Sequence, residues 1–462
     1  MKLAELFGPA GPEPVVADPL LLSLLQSVQL CDLELERFLT VARSAFLRAF
    51  AGQDESSVSL SVLSFVSALA QQCFINEYVY ALKEAELALA VALRDRLIGA
   101  MASVASVPAP WVALVGCYFP LGTLPSAERL LSRAWPDAVS TLLVQQVREP
   151  MEEQQYRASI PVLTPIEDDV SRRVRKQYEE NPYPRWVKCF ADSKNVSVDG
   201  YLGQHFPFAE FEPLGTRNSD VNILIAGCGT GQHPIDTALL FSGARILAID
   251  LSVASLSYAK RKTREVGVWN IEYAQADILK LGAIGRSFDV IESLGVLHHL
   301  ADPLAGWRVL VSLLRPGGLM HLGLYSARAR SGVIAARQFI AERGYSGVAA
   351  DIRTCRQELI EMKDDSLAEV VSASDFFGTS TCRDLLFHVQ EHRFTLPLLK
   401  QYLAELGLRF IGFELDAPVR AQYAARFPQD RSMTNLDNWD IFESENPNAF
   451  ANMYQFYAQK PR

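Results

Sequence analysis

Apolar residues recur every three to four positions over Pro19–Gln29, Asp32–Ala51, Val58–Leu82 and Glu84–Met101, a spacing that predicts four amphipathic or buried helices. Val62, Phe65, Val66 and Leu69 form one such stripe, and Cys73 and Phe74 extend it. Pro125–Arg133 and Pro136–Val147 read as two shorter helices. No fixed repeat period is visible, so a solenoid is not supported. Further along, the pattern changes character. Val221–Ala226 and Ala244–Ile249 are continuous apolar runs that suit strands buried on both faces, and Ile235–Phe241 reads as a helix between them.

Between the first of these strands and its helix stand Gly227, Gly229 and Gly231, separated only by Cys228 and Thr230. Glycine belongs where the backbone takes positive φ or where a ligand must lie against it with no Cβ in the way. The second strand ends on Asp250. Strand, glycine loop, helix, strand and a carboxylate about 20 residues on is the pattern of an adenosine-cofactor site. A dinucleotide loop would place a third glycine where Gln232 stands.

The loop Gly227-Cys228-Gly229-Thr230-Gly231 resembles the first motif of class I S-adenosylmethionine methyltransferases. Ala274-Gln275-Ala276-Asp277 resembles the segment that closes their third strand, Phe288-Asp289-Val290-Ile291 the start of the fourth, and Val296-Leu297-His298-His299-Leu300 the segment after it. Leu314-Arg315-Pro316-Gly317-Gly318 resembles the turn before the fifth strand. The likeness covers 216–328 well and 395–462 weakly. It implies an α/β, Rossmann-like, seven-stranded sheet in the order 3-2-1-4-5-7-6. Strand five is then Leu319–Tyr325, followed by a helix at Leu396–Leu406 and strands at Leu408–Leu415 and Met453–Gln459.

The same resemblance implies S-adenosylmethionine as cofactor. Its expected contacts are Gly227, Gly229 and Gly231, Asp250 with Leu251 at the ribose, Asp277 with Ile278 at the adenine, Ser293, and Tyr178 from a preceding segment. Many relatives carry an acid two places before the first glycine, to help hold the methionine amine. Here that position is Ile225, and backbone carbonyls near Gly227 and Ser293 are the expected substitutes.

The organisation expected is an all-helical accessory domain (1–155), a capped helix and strap (156–215), and a methyltransferase domain (216–462) with insertions at 326–394 and 416–451. In the strap, Thr164 and Glu167 read as a capping box around Pro165, and the helix should run to Glu180, because Pro182 and Pro184 cannot continue it. Asn181–Trp186 is either an interdomain packing strap or a lid with Tyr178 or Arg185 reaching the cofactor. Helical domain, strap and glycine loop together also resemble bacterial methyltransferases linked to tetratricopeptide repeats, although no such repeats are recognisable here.

Composition narrows the function. The 462 residues carry a net charge of −9, against a general nucleic-acid grip, and 49% hydrophobic residues, enough for sizeable cores. Seven scattered cysteines without a CxxC suit a reducing, cytoplasmic setting. The opening MKLAELFGPAGPEP has no signal-peptide pattern, and prolines break the uncharged stretch Leu97–Ala127, so no membrane span is expected.

Methyl transfer to a hydroxyl or protonated amine needs a nearby base. His299, after strand four, is the first candidate, with a helix-capping role as the competing explanation; His298 reads as packing. His388-Val389-Gln390-Glu391-His392 spells a zinc-peptidase pattern, but no third ligand is evident, so no metal is expected and His388 and His392 are read as acceptor contacts. Tyr325 and Asp384 are further pocket candidates. The function expected is methyl transfer to an O or N atom of a small molecule. A protein side chain as acceptor, or an inactive cofactor-binding scaffold whose helical domain meets a protein partner, remain as alternatives.

Overall fold

In the computed structural model, residues 3–9, 11–51, 58–103, 107–189, 195–362, 364–450 and 453–462 are described. They form two compact units. One comprises Met1–Gln155, Pro184–Lys188 and Ala335–Phe387; the other comprises Tyr156–Tyr183, Cys189–Ile334 and His388–Arg462.

The first unit is helical. Its helices Pro19–Ser27, Leu33–Phe50 and Leu60–Ile75 begin at Asp18, Asp32 and Ser59, whose side chains each accept a backbone N–H of the first turn. A fourth helix spans Glu84–Ala102. Leu60–Ile75 is buried almost all round, as a helix apolar on every side must be. It stops short of the expected Leu82. Glu77 and Tyr78 turn into the left-handed region at φ 55° and 60°, and the Tyr78 N–H closes back on the Cys73 carbonyl at 2.7 Å. The apolar pattern runs on regardless, because Val79 and Tyr80 are also buried, in a loop rather than a helix.

The expected insertion 326–394 is divided. Its residues 335–387 belong to the helical unit, although a place within the methyltransferase domain was expected. The reason is a buried anchor: both terminal nitrogens of Arg356 reach the Glu36 carboxylate, at 3.1 and 3.0 Å, while its Nε donates to the Phe376 carbonyl. Such a bidentate, charge-assisted pair is costly to break once desolvated. Nothing in the local pattern of 335–387 signals a partner more than 300 positions upstream.

The strap divides in the same way. Arg185 lies over the Phe74 ring at 4.0 Å and Trp186 is buried, both within the helical unit. Tyr178 and Tyr183 stay with the sheet unit, their rings 6.2 Å apart.

The second unit is a seven-stranded sheet in the expected order: β1 Asn222–Ala226, β2 Arg245–Asp250, β3 Ile271–Gln275, β4 Phe288–Leu294, β5 Leu314–Tyr325, β6 Arg409–Phe413 and β7 Met453–Gln459, arranged β3-β2-β1-β4-β5-β7-β6. Only β7 runs antiparallel to its neighbours. The helix after the glycine loop is Gln232–Leu240. Ahead of the sheet, the helix Asp169–Glu180 ends where expected but starts later. Asp168, not Thr164, caps it, accepting from the Ser171 N–H at 2.9 Å. Thr164 instead accepts the Asp277 N–H at 2.7 Å, because Val162 bridges to Gln275 and draws the chain along β3.

The second insertion packs onto the core at β6 and also lines a cavity of about 280 Å³ there, with Arg420, Met433 and Trp439 facing Phe206 and Phe208. Its helices Ala417–Arg426 and Leu436–Glu445 bury Tyr423, Trp439 and Phe442, with the Trp439 ring stacked 3.6 Å from Tyr423 and edge-on to Phe413 of β6. Its expected end, residue 451, lies outside the described residues. Among the described residues no helix is long and apolar enough to cross a membrane.

The packing of Trp186 yields a direct test of the strap. Trp186→Ala should cost about 3–5 kcal/mol of unfolding free energy, the usual scale for a buried aromatic cut to alanine, and leave cofactor affinity of the folded protein unchanged. Denaturant melts and calorimetry on the same variant check both halves. Unaltered stability with weakened cofactor binding would make the strap a lid instead.

Candidate cofactor and acceptor site

Parallel strands place their ligands beyond their carboxyl ends, where the order of the sheet reverses. Here that place is between β1 and β4, and the glycine loop fills it. Gly227 has φ +84° and Gly231 φ +88°. A Cβ on Gly227 would come within 2.3 Å of Val296, and one on Gly231 within 2.5 Å of the Ala259 methyl. Both turns therefore exclude any other residue. The Gly227 and Cys228 N–H groups both donate to the Ile249 carbonyl at 2.9 Å, locking the loop to the end of β2.

Asp250 holds the loop as well as the expected ribose position. Its two oxygens accept from the Gly229 and Ser252 N–H groups, each at 2.9 Å. Burial pushes its carboxyl upward, and those backbone donors oppose the shift. The Leu251 carbonyl accepts from Gln275 Nε2 at 2.8 Å, which aligns the ends of β2 and β3.

Asp277 shows the fit to an adenosine. One of its oxygens accepts the Leu279 N–H at 3.0 Å, while Oδ2 is buried with no hydrogen-bond partner in range among the described residues. Burial raises this carboxyl too. The Leu279 N–H and the Ser171 side chain oppose that shift, and Oδ2 is an acceptor that an adenine amino group would suit. Ile278, beside it, is buried and begins a 3-10 turn. Ser293 Oγ donates to the Ala226 carbonyl at 3.0 Å, so it tethers β4 to β1 just before the loop.

Tyr178 reaches this region through its backbone: its carbonyl accepts from Ser252 Oγ at 3.1 Å. Glu179, which sequence reasoning missed, accepts the Val253 and Ala254 N–H groups and so caps the helix Val253–Val266. Its signal, an acid near a helix end, is too common to notice.

The histidines gather at the end of β4. His299 and His388 are buried, with rings stacked 3.6 Å apart. His299 Nδ1 is 2.7 Å from the Gln390 carbonyl, and His388 Nδ1 accepts the Gln390 N–H at 3.1 Å. A carbonyl can only accept, and an N–H can only donate, so the neutral rings are fixed as opposite tautomers. His299 carries its proton on Nδ1 and is basic at Nε2; His388 carries its proton on Nε2. The Tyr178 ring lies 6.0 Å from His388.

His298 stacks on Tyr325 at 3.8 Å, with both nitrogens buried and no hydrogen-bond partner in range among the described residues. Burial, the largest influence, drives it far towards the neutral form. It is packing, as expected.

The H-x-x-E-H stretch is not helical, since the preceding helix ends at Phe387. Glu391 is taken by Arg330, at 3.2 and 2.6 Å, and that guanidinium also lies over the Tyr325 ring at 3.7 Å. His392 Nε2 sits 3.0 Å from Gln390 Nε2, and the His392 N–H donates to the His298 carbonyl at 2.8 Å. The two histidines of this stretch thus flank Gln390, while Glu391 faces Arg330. Asp384 belongs to the helical unit.

The acid missing from β1 has a neighbour. Ile225 pairs in register with Glu292 of β4, which is buried and accepts from Thr237 Oγ1 at 2.9 Å.

Residues 224–322 match the family described as a methyltransferase domain. An uncharacterised protein of Synechococcus sp. is 28% identical over 283 residues, which is 56% of this chain and 63% of that protein. A ubiquinone biosynthesis O-methyltransferase of Xanthomonas axonopodis is 36% identical over 139 residues, 30% of this chain and 55% of the relative. Among solved structures, PKMT2 from Rickettsia typhi in complex with AdoHcy aligns over 60% of this chain and 54% of its own, at 17% identity and a TM-score of 0.43. The chain spans less than two thirds of the length of these relatives. It carries a class I S-adenosylmethionine methyltransferase domain, and S-adenosylmethionine is the cofactor of that domain.

Asp250→Ala should weaken S-adenosylmethionine binding by about 1.5–3 kcal/mol, the scale of hydrogen bonds to a charged group. Titration calorimetry measures it directly; an unchanged dissociation constant in a folded variant would remove Asp250 from the site.

Proposed function

We propose that the protein transfers a methyl group from S-adenosylmethionine to a hydroxyl or amine of a small molecule. The observation that carries this reading is the stacked pair His299 and His388, buried and held as opposite tautomers by one residue, Gln390. When bound, the cofactor supplies an electrophilic methyl on a sulfonium. What the chain must then do is place the acceptor in line, keep water out and remove a proton.

His299 suits the last task. Its backbone N–H donates to the Val296 carbonyl at 2.9 Å, and the Val296 side chain closes against Gly227. The base is therefore three residues from the wall of the cofactor loop. The Gln390 carbonyl steadies the ring and would stabilise the imidazolium after proton uptake. His388, a donor at Nε2, can orient the acceptor oxygen or nitrogen, and His392 serves as a further acceptor contact. Tyr178 supplies an aromatic wall that suits a planar or partly apolar substrate, while Tyr325 lies behind the cluster between His298 and Arg330. The O-methyltransferase named among the relatives fits a hydroxyl acceptor. A protein side chain is the second reading, and the separate helical unit favours it.

Labelled methyl transfer into a cell extract, separated into small-molecule and protein fractions, distinguishes these readings. Label should enter the small-molecule fraction. Label in protein alone would overturn that assignment, and label in neither would leave a binding scaffold. His299→Ala should slow transfer by about 10²–10⁴-fold with cofactor affinity unchanged.

A further inference from the structure

The hydrophobic core of the sheet unit occupies one face, through Leu224, Ile291, Met320 and Phe456. Side chains alternate along a strand, so the intervening residues point to the other face. There, one row runs across four strands in register: Ile225 of β1, Glu292 of β4, His321 of β5 and Tyr457 of β7. A buried carboxylate and a buried imidazole thus stand side by side in a sheet that is otherwise apolar at this level.

The helix Gln232–Leu240 lowers His233 onto this row, with Nε2 2.8 Å from Glu292 Oε2. From beyond β6, Glu414 brings Oε2 to 3.0 Å from His321 Nε2. The donor atoms of His233, Glu292 and His321 all lie within 4.8 Å of one another. None of these residues has a part in the cofactor or acceptor chemistry above.

We propose that His233, Glu292 and His321 form a binding site for a first-row divalent cation of the zinc type, with Glu414 as the adjacent fourth oxygen donor. Two imidazoles and a carboxylate are a donor set that zinc takes readily, and bonds of about 2.0–2.2 Å to each would open the His233–Glu292 contact slightly and draw the more distant donors in.

Each donor is also aimed by a second partner, which is how metal sites hold their ligands. Thr237 Oγ1 donates to Glu292 Oε2 at 2.9 Å. Tyr457 stacks flat on His321 at 4.2 Å and 9°, fixing the ring plane. The Tyr201 hydroxyl donates to Glu414 Oε1 at 2.9 Å, which leaves Oε2 towards the cluster. His233 is partly exposed, which gives an ion a way in from solvent. No metal was expected from the sequence, because the ligands come from a loop-proximal helix, two strands and a strand end with no shared motif.

The test uses the full untagged chain, incubated with zinc chloride and dialysed into metal-free buffer. Mass spectrometry should find about one zinc per chain, as for a closed site of this donor set. Zinc should also raise the melting temperature of the wild type, as any ligand selective for the folded state does. His321→Gln and His233→Gln should each weaken zinc retention by about tenfold or more, while His388→Ala should retain the metal. His233, half open at a helix start, is the variant expected to fold if His321→Gln does not. A chain that keeps no zinc, or that loses it in His388→Ala but not in His233→Gln, would overturn the proposal and leave these groups as a hydrogen-bonded ion pair.

Discussion

The site depends on a turn that no side chain can enter. Between β1 and its helix the backbone passes through positive φ at Gly227 and Gly231, pressed against Val296 on one side and Ala259 on the other. The loop cannot relax away, because the Ile249 carbonyl and the Asp250 carboxylate together hold three successive N–H groups, those of Gly227, Cys228 and Gly229. One constraint thus ties together the shape of the glycine loop, the orientation of the Asp250 carboxylate, and the Val296 turn that leads to His299. The rest of the unit supports that turn, with parallel strands buried on both faces and helices capped towards it.

The acceptor side is organised by a single residue of unremarkable type. Gln390 offers its carbonyl to His299 and its N–H to His388, and its side-chain amide sits against His392. Its backbone decides which nitrogen of each stacked ring is basic. The neighbouring Glu391 would otherwise bring a negative charge among the histidines. Arg330 pairs with it and covers Tyr325, and its positive charge adds to burial in holding His298 neutral.

Legibility in the sequence followed the range of the interaction. The glycine loop and the first strands could be read from local signatures, apolar runs and closely spaced glycines, and the last two strands from the resemblance to the family fold. What escaped depends on distant partners. Arg356 and Glu36 assign 335–387 to the helical unit, and no periodicity in either segment reports it. Thr164 has all the features of a cap yet is drawn to Asp277, leaving Asp168 to cap the helix. The H-x-x-E-H letters spell a zinc-peptidase pattern that sits on a helix, but here the helix ends at Phe387, immediately before them. Glu292 and His321 are invisible as a pair until the register of β4 and β5 sets them side by side.

A crystal structure of the full chain with S-adenosylhomocysteine tests the central claim most directly, since every group at the cofactor position is then seen at once. The account predicts the adenine amino group at about 3 Å from Asp277 Oδ2 and the ribose hydroxyls at hydrogen-bond distance from Asp250. The thioether sulfur should face the His299 and His388 pair across the Val296 turn. An adenosine bound away from both carboxylates, or a sulfur turned from the histidines towards another wall, would contradict it.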